Sequence, residues 1–305
     1  MKKAPILSIC IPTYGRPMYT LETLNSIVPQ MNDKTELVVV DDNSQDGTYE
    51  VVKLFKQAHP ELKIAIEQNK SNLGFDRNVL KVMSKARGEY AWLFGNDDKL
   101  LSGSVNKVLK IISLNKNSSL IHVNYSRYDD LLKKITAKKM VGSIAKDIYF
   151  DSAEDFYFRK INKSYFKYLG TNTITMSTDI IQKGAWDYAV KRVKKYLGHN
   201  FIHSFVIATA IHKLQKIVYV ANPLVEYRAN NHRIWPNDIW KDYNNILLGY
   251  LIDIGYDAKK IQSMKKTQKS YEQREAAMKN PMLTFAFKYG RPVIATLRLV
   301  RDKIQ

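Results

Sequence analysis

Short apolar runs that each break into a polar cluster constrain this chain more than any other feature. Leu7–Thr13, Glu36–Asp41, Leu62–Glu67 and Glu89–Phe94 are β-rich and apolar through their middles rather than alternating. Such continuous runs suit strands covered on both faces, the situation of a parallel sheet. Between them lie stretches with helical character: Pro17 to about Ile27, a segment from near Asp46, Asp76–Ala86 and Ser104–Leu114. A further strand follows at Ser119–Tyr125. Pro17 suits the first position of a helix because its fixed φ is already helical. Strands alternating with helices predict an α/β fold with a mostly parallel sheet.

The polar clusters Pro12-Thr-Tyr-Gly-Arg16, Asp41-Asp42-Asn43-Ser44 and Gly95-Asn96-Asp97-Asp98 each follow a strand. Ligands of open α/β sheets bind at the carboxyl ends of the strands, so the clusters are expected to converge on one site. After about residue 127 the alternation fades. Lys133-Lys134 and Lys138-Lys139 read as an exposed basic loop, Lys183–Lys213 mainly as helix with a break at Gly198, and Ile217–Val220 as a short strand.

Adjacent acids after a buried strand are costly unless they meet a cation or hydrogen-bond donors. Hard oxygens suit Mg²⁺ or Mn²⁺, which take one or two carboxylates and complete their shells from phosphates and water. The same residues also read as a turn capping the next helix. Asp41-Asp42 carries the same two readings, helix cap or acceptor of bonds from a ribose or base. No G-x-G-x-x-G follows the first strand and no G-x-x-x-x-G-K-[ST] occurs, which disfavours dinucleotide oxidoreductases and P-loop enzymes.

Four strings in order carry a resemblance: Ser8-Ile-Cys-Ile-Pro-Thr-Tyr-Gly-Arg16, Glu36-Leu-Val-Val-Val-Asp-Asp-Asn-Ser-Gln-Asp-Gly-Thr48, Asn72-Leu-Gly-Phe-Asp-Arg-Asn78 and Gly88-Glu-Tyr-Ala-Trp-Leu-Phe-Gly-Asn-Asp-Asp98. They resemble the family 2 inverting glycosyltransferases, above all members of the abequosyltransferase-like type that build bacterial surface polysaccharides. The resemblance is clear to about residue 125. It implies the GT-A fold, a Rossmann-like mostly parallel sheet flanked by helices, here with a helical C-terminal extension. Residues 1–125 are then the nucleotide-sugar-binding half, 126–235 the acceptor-binding half and 236–305 the extension. It also implies roles. Pro12, Thr13 and Tyr14 line the base pocket, Asp42 bonds base or ribose, and Arg16 and Arg77 pair with the diphosphate. Asn72 and Gly74 shape a turn. In the family's D-x-D motif, Gly95 stands where the first acid usually is and Asp97 falls on the metal-binding acid. Asn96 and Asp98 flank it, Asp98 as a second metal ligand or a supporting acid.

An inverting transfer needs a general base, which the family usually supplies from a Glu-Asp pair in the region matching 195–205. This chain has Tyr196-Leu-Gly-His-Asn-Phe-Ile-His203 there, and no carboxylate between Asp187 and Glu226. His203, then His199, are the candidates, sharing a face if both lie on one helix. Glu154 and Asp155 are the alternatives. The string Tyr227-Arg228-Ala-Asn-Asn-His232 resembles a late loop, with Arg228 or His232 closing over the diphosphate. Trp235 and Trp240 read as acceptor platforms or core.

Charge enters here. The chain has 48 Lys and Arg against 29 acids, a net +19, so an anionic partner is expected. Lys279, Lys288, Arg291, Arg298, Arg301 and Lys303 alternate with apolar residues, a pattern of membrane-surface helices. The resemblance implies an acceptor glycan linked to polyprenyl diphosphate, as many members of that family use, and the positive charge agrees with it. The opening apolar stretch is short and interrupted by Pro12, so it reads as a strand rather than a signal. The single cysteine, Cys10, excludes a disulfide framework. These features place the protein in the cytoplasm, peripheral at the inner face of the membrane. Two alternatives stay open: a catalytically inactive membrane-associated scaffold, and a nucleic-acid-binding protein. The second is disfavoured because the basic residues are dispersed and no recognised nucleic-acid motif is evident, so nucleic acid is not an expected partner.

Overall fold

The computed structural model describes residues 4–161, 168–229 and 246–266. His232, Trp235, Trp240 and the basic tail lie outside the described residues. One compact unit extends to Asp257, and a second begins at Ala258.

Among the described residues ten strands form one sheet. They are β1 (Leu7–Thr13), β2 (Thr35–Asp41), β3 (Ile64–Gln68), β4 (Tyr90–Leu93), β5 (Lys99–Leu100), β6 (Leu120–Tyr128), β7 (Ile135–Ala137), β8 (Ile148–Phe150), β9 (Asp179–Gln182) and β10 (Ile217–Arg228). The order is β3-β2-β1-β4-β9-β6-β10-β5, with β7 beside β6 and β8 beside β10. β1, β2, β3 and β4 pair in parallel, as their uninterrupted apolar runs require. β9 runs against both β4 and β6, so β6 and its parallel partner β10 point the same way as β1–β4. The sheet is therefore mostly parallel with an antiparallel insert, and the two expected halves share it.

The helices are α1 (Pro17–Ile27), α2 (Thr48–Ala58), α3 (Phe75–Ser84), α4 (Ser104–Leu114), α5 (Ala153–Tyr157), α6 (Lys183–Val190), α7 (Ile202–Leu214) and α8 (Leu248–Asp253). Pro17 stands in the first turn of α1, as its geometry favours. α7 is buried on all sides from Ile202 to Ile211, matching its nearly unbroken apolar sequence. Tyr250 of α8 packs against Phe205, and its hydroxyl meets Thr209 Oγ1 at 2.5 Å. Among the described residues no helix is long and apolar enough to cross a membrane.

Two expectations about the second half are corrected. β10 does not stop at Val220 but continues to Arg228, because a register shift between Val220 and Val225 absorbs Asn222-Pro223. The run 183–213 is not one interrupted helix, since residues 191–201 form turns and a short 3₁₀ segment between α6 and α7.

At the amino ends of the strands, the buried Glu36 carboxylate ties three elements together. It accepts from Ser8 Oγ at 2.6 Å, from the Arg87 amide at 2.7 Å, and from the Arg87 guanidinium at 2.7 and 2.9 Å. Gly88 is required beside it, because a Cβ there would sit 2.7 Å from the Ser8 nitrogen. This end is braced for stability, while the polar clusters occupy the other.

Candidate active site

The three polar clusters converge at the carboxyl ends of β1, β2 and β4. Asn96 is buried and its side-chain amide donates to Thr13 Oγ1 at 2.8 Å, Thr20 Oγ1 at 3.1 Å and the Gly15 carbonyl at 3.2 Å. It therefore clamps the end of β4 to β1 and α1. The Gly15 amide donates to Ser44 Oγ at 2.7 Å, and the Arg16 amide to Asp46 Oδ2 at 2.8 Å. Ser44 is itself fixed on the Asp41 carboxylate. Pro12 and Thr13 end β1 beneath this junction, and the Tyr14 ring stands at the rim, 49% exposed.

Asp42 lies under the turn that precedes α3. Its carboxylate accepts from Asn69 Nδ2 at 2.7 Å and from the amides of Leu73 and Gly74 at 2.8 and 2.9 Å. An ionised carboxylate offers about four acceptor directions, so one remains for a ligand donor. Asn72 closes the same turn by accepting from the Gly74 amide at 2.8 Å. Arg77 follows on the exposed side of α3, and no described residue forms an ion pair with it.

Asp97 and Asp98 differ sharply. Asp97 is half-buried, with its side chain 16% exposed, and its Oδ2 accepts from the Arg16 guanidinium at 2.7 Å. Asp98 is only 3% exposed, with Oδ2 accepting from Ser177 Oγ at 2.5 Å and Oδ1 from the Arg228 amide at 2.9 Å. Burial, and then the neighbouring Asp97, push the Asp98 carboxyl up to about 8. Both Asp98 oxygens are committed to partners within the protein, so this side chain braces the loop beside Asp97. Asp97 suits a cation that draws its other ligands from a diphosphate and water. Among the described residues no group of three or more His, Cys, Asp or Glu is placed to hold a metal. Gly95 is explained too. A Cβ there would lie 3.1 Å from Asp97 Oδ1, 3.2 Å from Ser177 Oγ and 3.3 Å from Asp98 Oδ2, so a side chain at 95 would crowd both acids.

Arg228 is not on a loop. It ends β10, is 1% exposed, and lies under the acidic pair. Its Nε donates to the Asp97 carbonyl at 2.8 Å, NH1 to the Asp130 carbonyl and NH2 to Glu22 Oε2 at 2.5 Å, while the guanidinium stacks 4.0 Å from the Tyr19 ring centre. The expected closure of Arg228 over a diphosphate is therefore replaced by a buried brace. Glu22 and Ser177 were not singled out by the sequence; helix position 22 and a serine far downstream give no local signal of contact with Asp97-Asp98.

His199 and His203 do not share a helix face, because α7 begins only at Ile202 and Gly198 and Asn200 have positive φ. His203 is 2% exposed. Its Nε2 donates to the Ile174 carbonyl at 3.1 Å, its Nδ1 has no partner, and burial lowers its pKa, so it is a neutral core side chain. Its rank as first candidate base is corrected on that ground. His199 is half-buried in the preceding loop. That loop is tied to α3 by Asp76, whose carboxylate accepts from the amides of Gly198, Asn200 and Ile202. Between α3 and the loop lies a cavity of about 180 Å³ lined by Gly74, Phe75, Arg77, Leu197 and Asn200 among others. Glu154 and Asp155 sit in the first turn of α5, whose amides of residues 154 and 155 are capped by Ser152.

Comparison with known proteins matches this geometry to a family. The profile described as glycosyl transferase family 2 matches residues 8–180, more than half of the chain. The chain is 29% identical over 244 residues to abequosyltransferase RfbV of Salmonella typhimurium, covering 74% of this chain and 67% of that protein. It is 31% identical over 106 residues to the GalNAc(5)-diNAcBac-PP-undecaprenol beta-1,3-glucosyltransferase of Campylobacter jejuni, covering 35% of this chain and 34% of that protein. Among solved structures, S. aureus TarS 1-349 in complex with UDP superposes with a TM-score of 0.63 at 14% identity, covering 92% of this chain and 74% of that one. A mannosyltransferase from Pyrobaculum calidifontis in complex with GDP-Man and Mn²⁺ gives 0.56 at 14% identity, covering 95% and 81%. The fold is that of the GT-A glycosyltransferases.

Proposed function

The chain belongs to glycosyl transferase family 2, and on that premise we propose that it transfers a sugar with inversion from a nucleoside-diphosphate donor to a glycan hydroxyl, on a lipid-linked acceptor. The observation that carries the reading is the convergence of the β1, β2 and β4 ends around Asp97, which is paired with Arg16. The names of the relatives support a surface glycan as product and, in the Campylobacter protein, an undecaprenyl-linked acceptor. The solved neighbours with UDP and with GDP-Man and Mn²⁺ support the donor class and the cation.

The Tyr14 ring stacks on the base, over a floor formed by Pro12 and Thr13. The acceptor direction left on Asp42 takes a donor from base or ribose. Arg16 and Arg77 bond the diphosphate oxygens, to which a planar guanidinium is well matched. Asp97 would hold Mn²⁺ or Mg²⁺, which would supply a Lewis acid for the charge that develops on the leaving diphosphate. His199 takes the proton of the acceptor hydroxyl. As it does so, the hydroxyl oxygen bonds the anomeric carbon from the face opposite the breaking carbon–oxygen bond, and the nucleoside diphosphate departs. Imidazole suits this task because its ordinary pKa lies near neutrality. The basic tail would hold the protein at an anionic membrane, where a polyprenyl-linked acceptor lies.

The test is release of nucleoside diphosphate from UDP-, GDP-, dTDP- and CDP-sugars, with and without bacterial lipid-linked glycans. The proposal expects one donor to be consumed with Mn²⁺ or Mg²⁺ and the activity to vanish in Asp97→Ala. Nucleotide binding with no turnover of any donor would instead favour the inactive scaffold, a reading motivated by the missing carboxylate between Asp187 and Glu226.

A further inference from the structure

We infer that Arg16 is the built-in counter-charge of Asp97, and that a divalent cation gains this carboxylate only when a diphosphate draws Arg16 away. The inference rests on the reading of Asp97 as the cation-holding acid and names what controls it.

Arg16 is placed for this contact by its backbone, not by chance at a surface. Gly15 and Arg16 both adopt left-handed conformations, with φ of 69° and 68°. That geometry is easy for glycine and unfavourable for arginine, so something must hold it. Two bonds from the β2 side do: the Gly15 amide to Ser44 Oγ and the Arg16 amide to Asp46 Oδ2. A Cβ on Gly15 would lie only 3.2 Å from Asp46 Oδ2, so the turn fits closely there. The resulting ion pair joins Arg16 NH1 to Asp97 Oδ2 at 2.7 Å, with the two side chains 21% and 16% exposed.

A guanidinium and a divalent cation compete for the same oxygen, and as like charges they repel across the short distance between their sites. A diphosphate resolves the competition. It offers Arg16 oxygens with more negative charge than one carboxylate and a geometry that suits two parallel bonds. Arg16 then exchanges one anion for another, Asp97 loses this counter-charge, and a cation would find Asp97 and the diphosphate as ligands. Arg16 thus couples nucleotide and metal binding and keeps the free protein from collecting stray cations.

The experiment is a titration of the full-length protein with Mn²⁺ alone, without nucleotide, reading free Mn²⁺ by electron paramagnetic resonance. Wild type is expected to bind weakly, Arg16→Gln about tenfold or more tightly, and Arg16→Gln/Asp97→Asn no better than wild type. Damage to the fold does not produce a gain of affinity, so the result is not open to that explanation. Arg16→Gln binding no more tightly than wild type, or a gain that survives Asp97→Asn, would overturn the inference. The titration uses no sugar nucleotide. A failed transfer assay with the Mn²⁺ gain intact would remove the proposed function and leave this coupling standing.

Discussion

Replacing Arg228 by Met tests whether the acidic pair is held up from beneath. Met keeps the buried stem while removing every donor of the guanidinium and its stacking over the Tyr19 ring. The Asp97 and Asp130 carbonyls each lose a charged partner. At about 1–2 kcal/mol for each buried acceptor left without its donor, these contribute about 3 kcal/mol. Glu22 adds less than about 1 kcal/mol, because its side chain is 41% exposed and turns to water. In a unit of this size about 1 kcal/mol moves the unfolding midpoint by about 2–4 °C, so Arg228→Met should lower it by about 6–12 °C. Glu22→Gln should cost no more than about 3 °C by the same arithmetic. Differential scanning calorimetry reads both. An Arg228→Met midpoint within about 2 °C of wild type would refute the brace, and a Glu22→Gln loss as large as that of Arg228→Met would refute the division of energy among its partners.

Other substitutions separate the remaining roles. Asp42→Asn leaves one side-chain acceptor oxygen under the turn of residues 69–74 and should cost about 1–3 kcal/mol in urea unfolding, with weaker nucleotide binding by calorimetry. His199→Ala should lower the transfer rate by about 100-fold or more, whereas His203→Gln should change the midpoint of unfolding and not the rate constant. The buried Asp179, paired with His122 at 2.7 Å, is pushed up to about 6 by burial. Its folded pKa thus exceeds the unfolded value of about 3.9, so the folded protein keeps a proton that the unfolded chain releases. The stability contributed by this group should fall as pH rises from about 4 to about 6 and be level above. Urea titrations comparing wild type with Asp179→Asn across that range should show the difference changing with this sign; a difference independent of pH would contradict it.

The first half of the fold was legible because each element there declares itself locally. The runs at β1, β2 and β4 are apolar throughout, Pro17 marks the start of α1, and the polar clusters fall where those strands end. The second half depends on contacts that no short window contains. β9 is only four residues long and owes its place to neighbours on both sides, β4 and β6. β10 carries Asn222-Pro223 within it, a signal that ordinarily ends a strand and is absorbed here by an irregularity in the ladder. The site divides in the same way. Motif position singled out Asp42 and Asp97, and the structure puts each just after a strand end. The burial of Asp98 was not legible, because its partners Ser177 and Arg228 lie 79 and 130 residues away. His203 looked reachable from spacing alone, but the helix that would have placed it beside His199 begins too late, and burial removes it from solvent.

The most direct test of the central claim is calorimetric binding of UDP, GDP, dTDP and CDP to the full-length protein, each with Mn²⁺ or with EDTA, in wild type, Asp97→Asn and Asp98→Asn. The account predicts that one nucleotide binds well only with Mn²⁺ and that Asp97→Asn abolishes the metal effect. Asp98→Asn should largely keep it, because Asn resembles the neutral acid already held by Ser177 and Arg228. Metal-independent binding in wild type, or loss of the metal effect in Asp98→Asn with Asp97→Asn unaffected, would contradict the assignment of Asp97 as the cation-holding residue of this site.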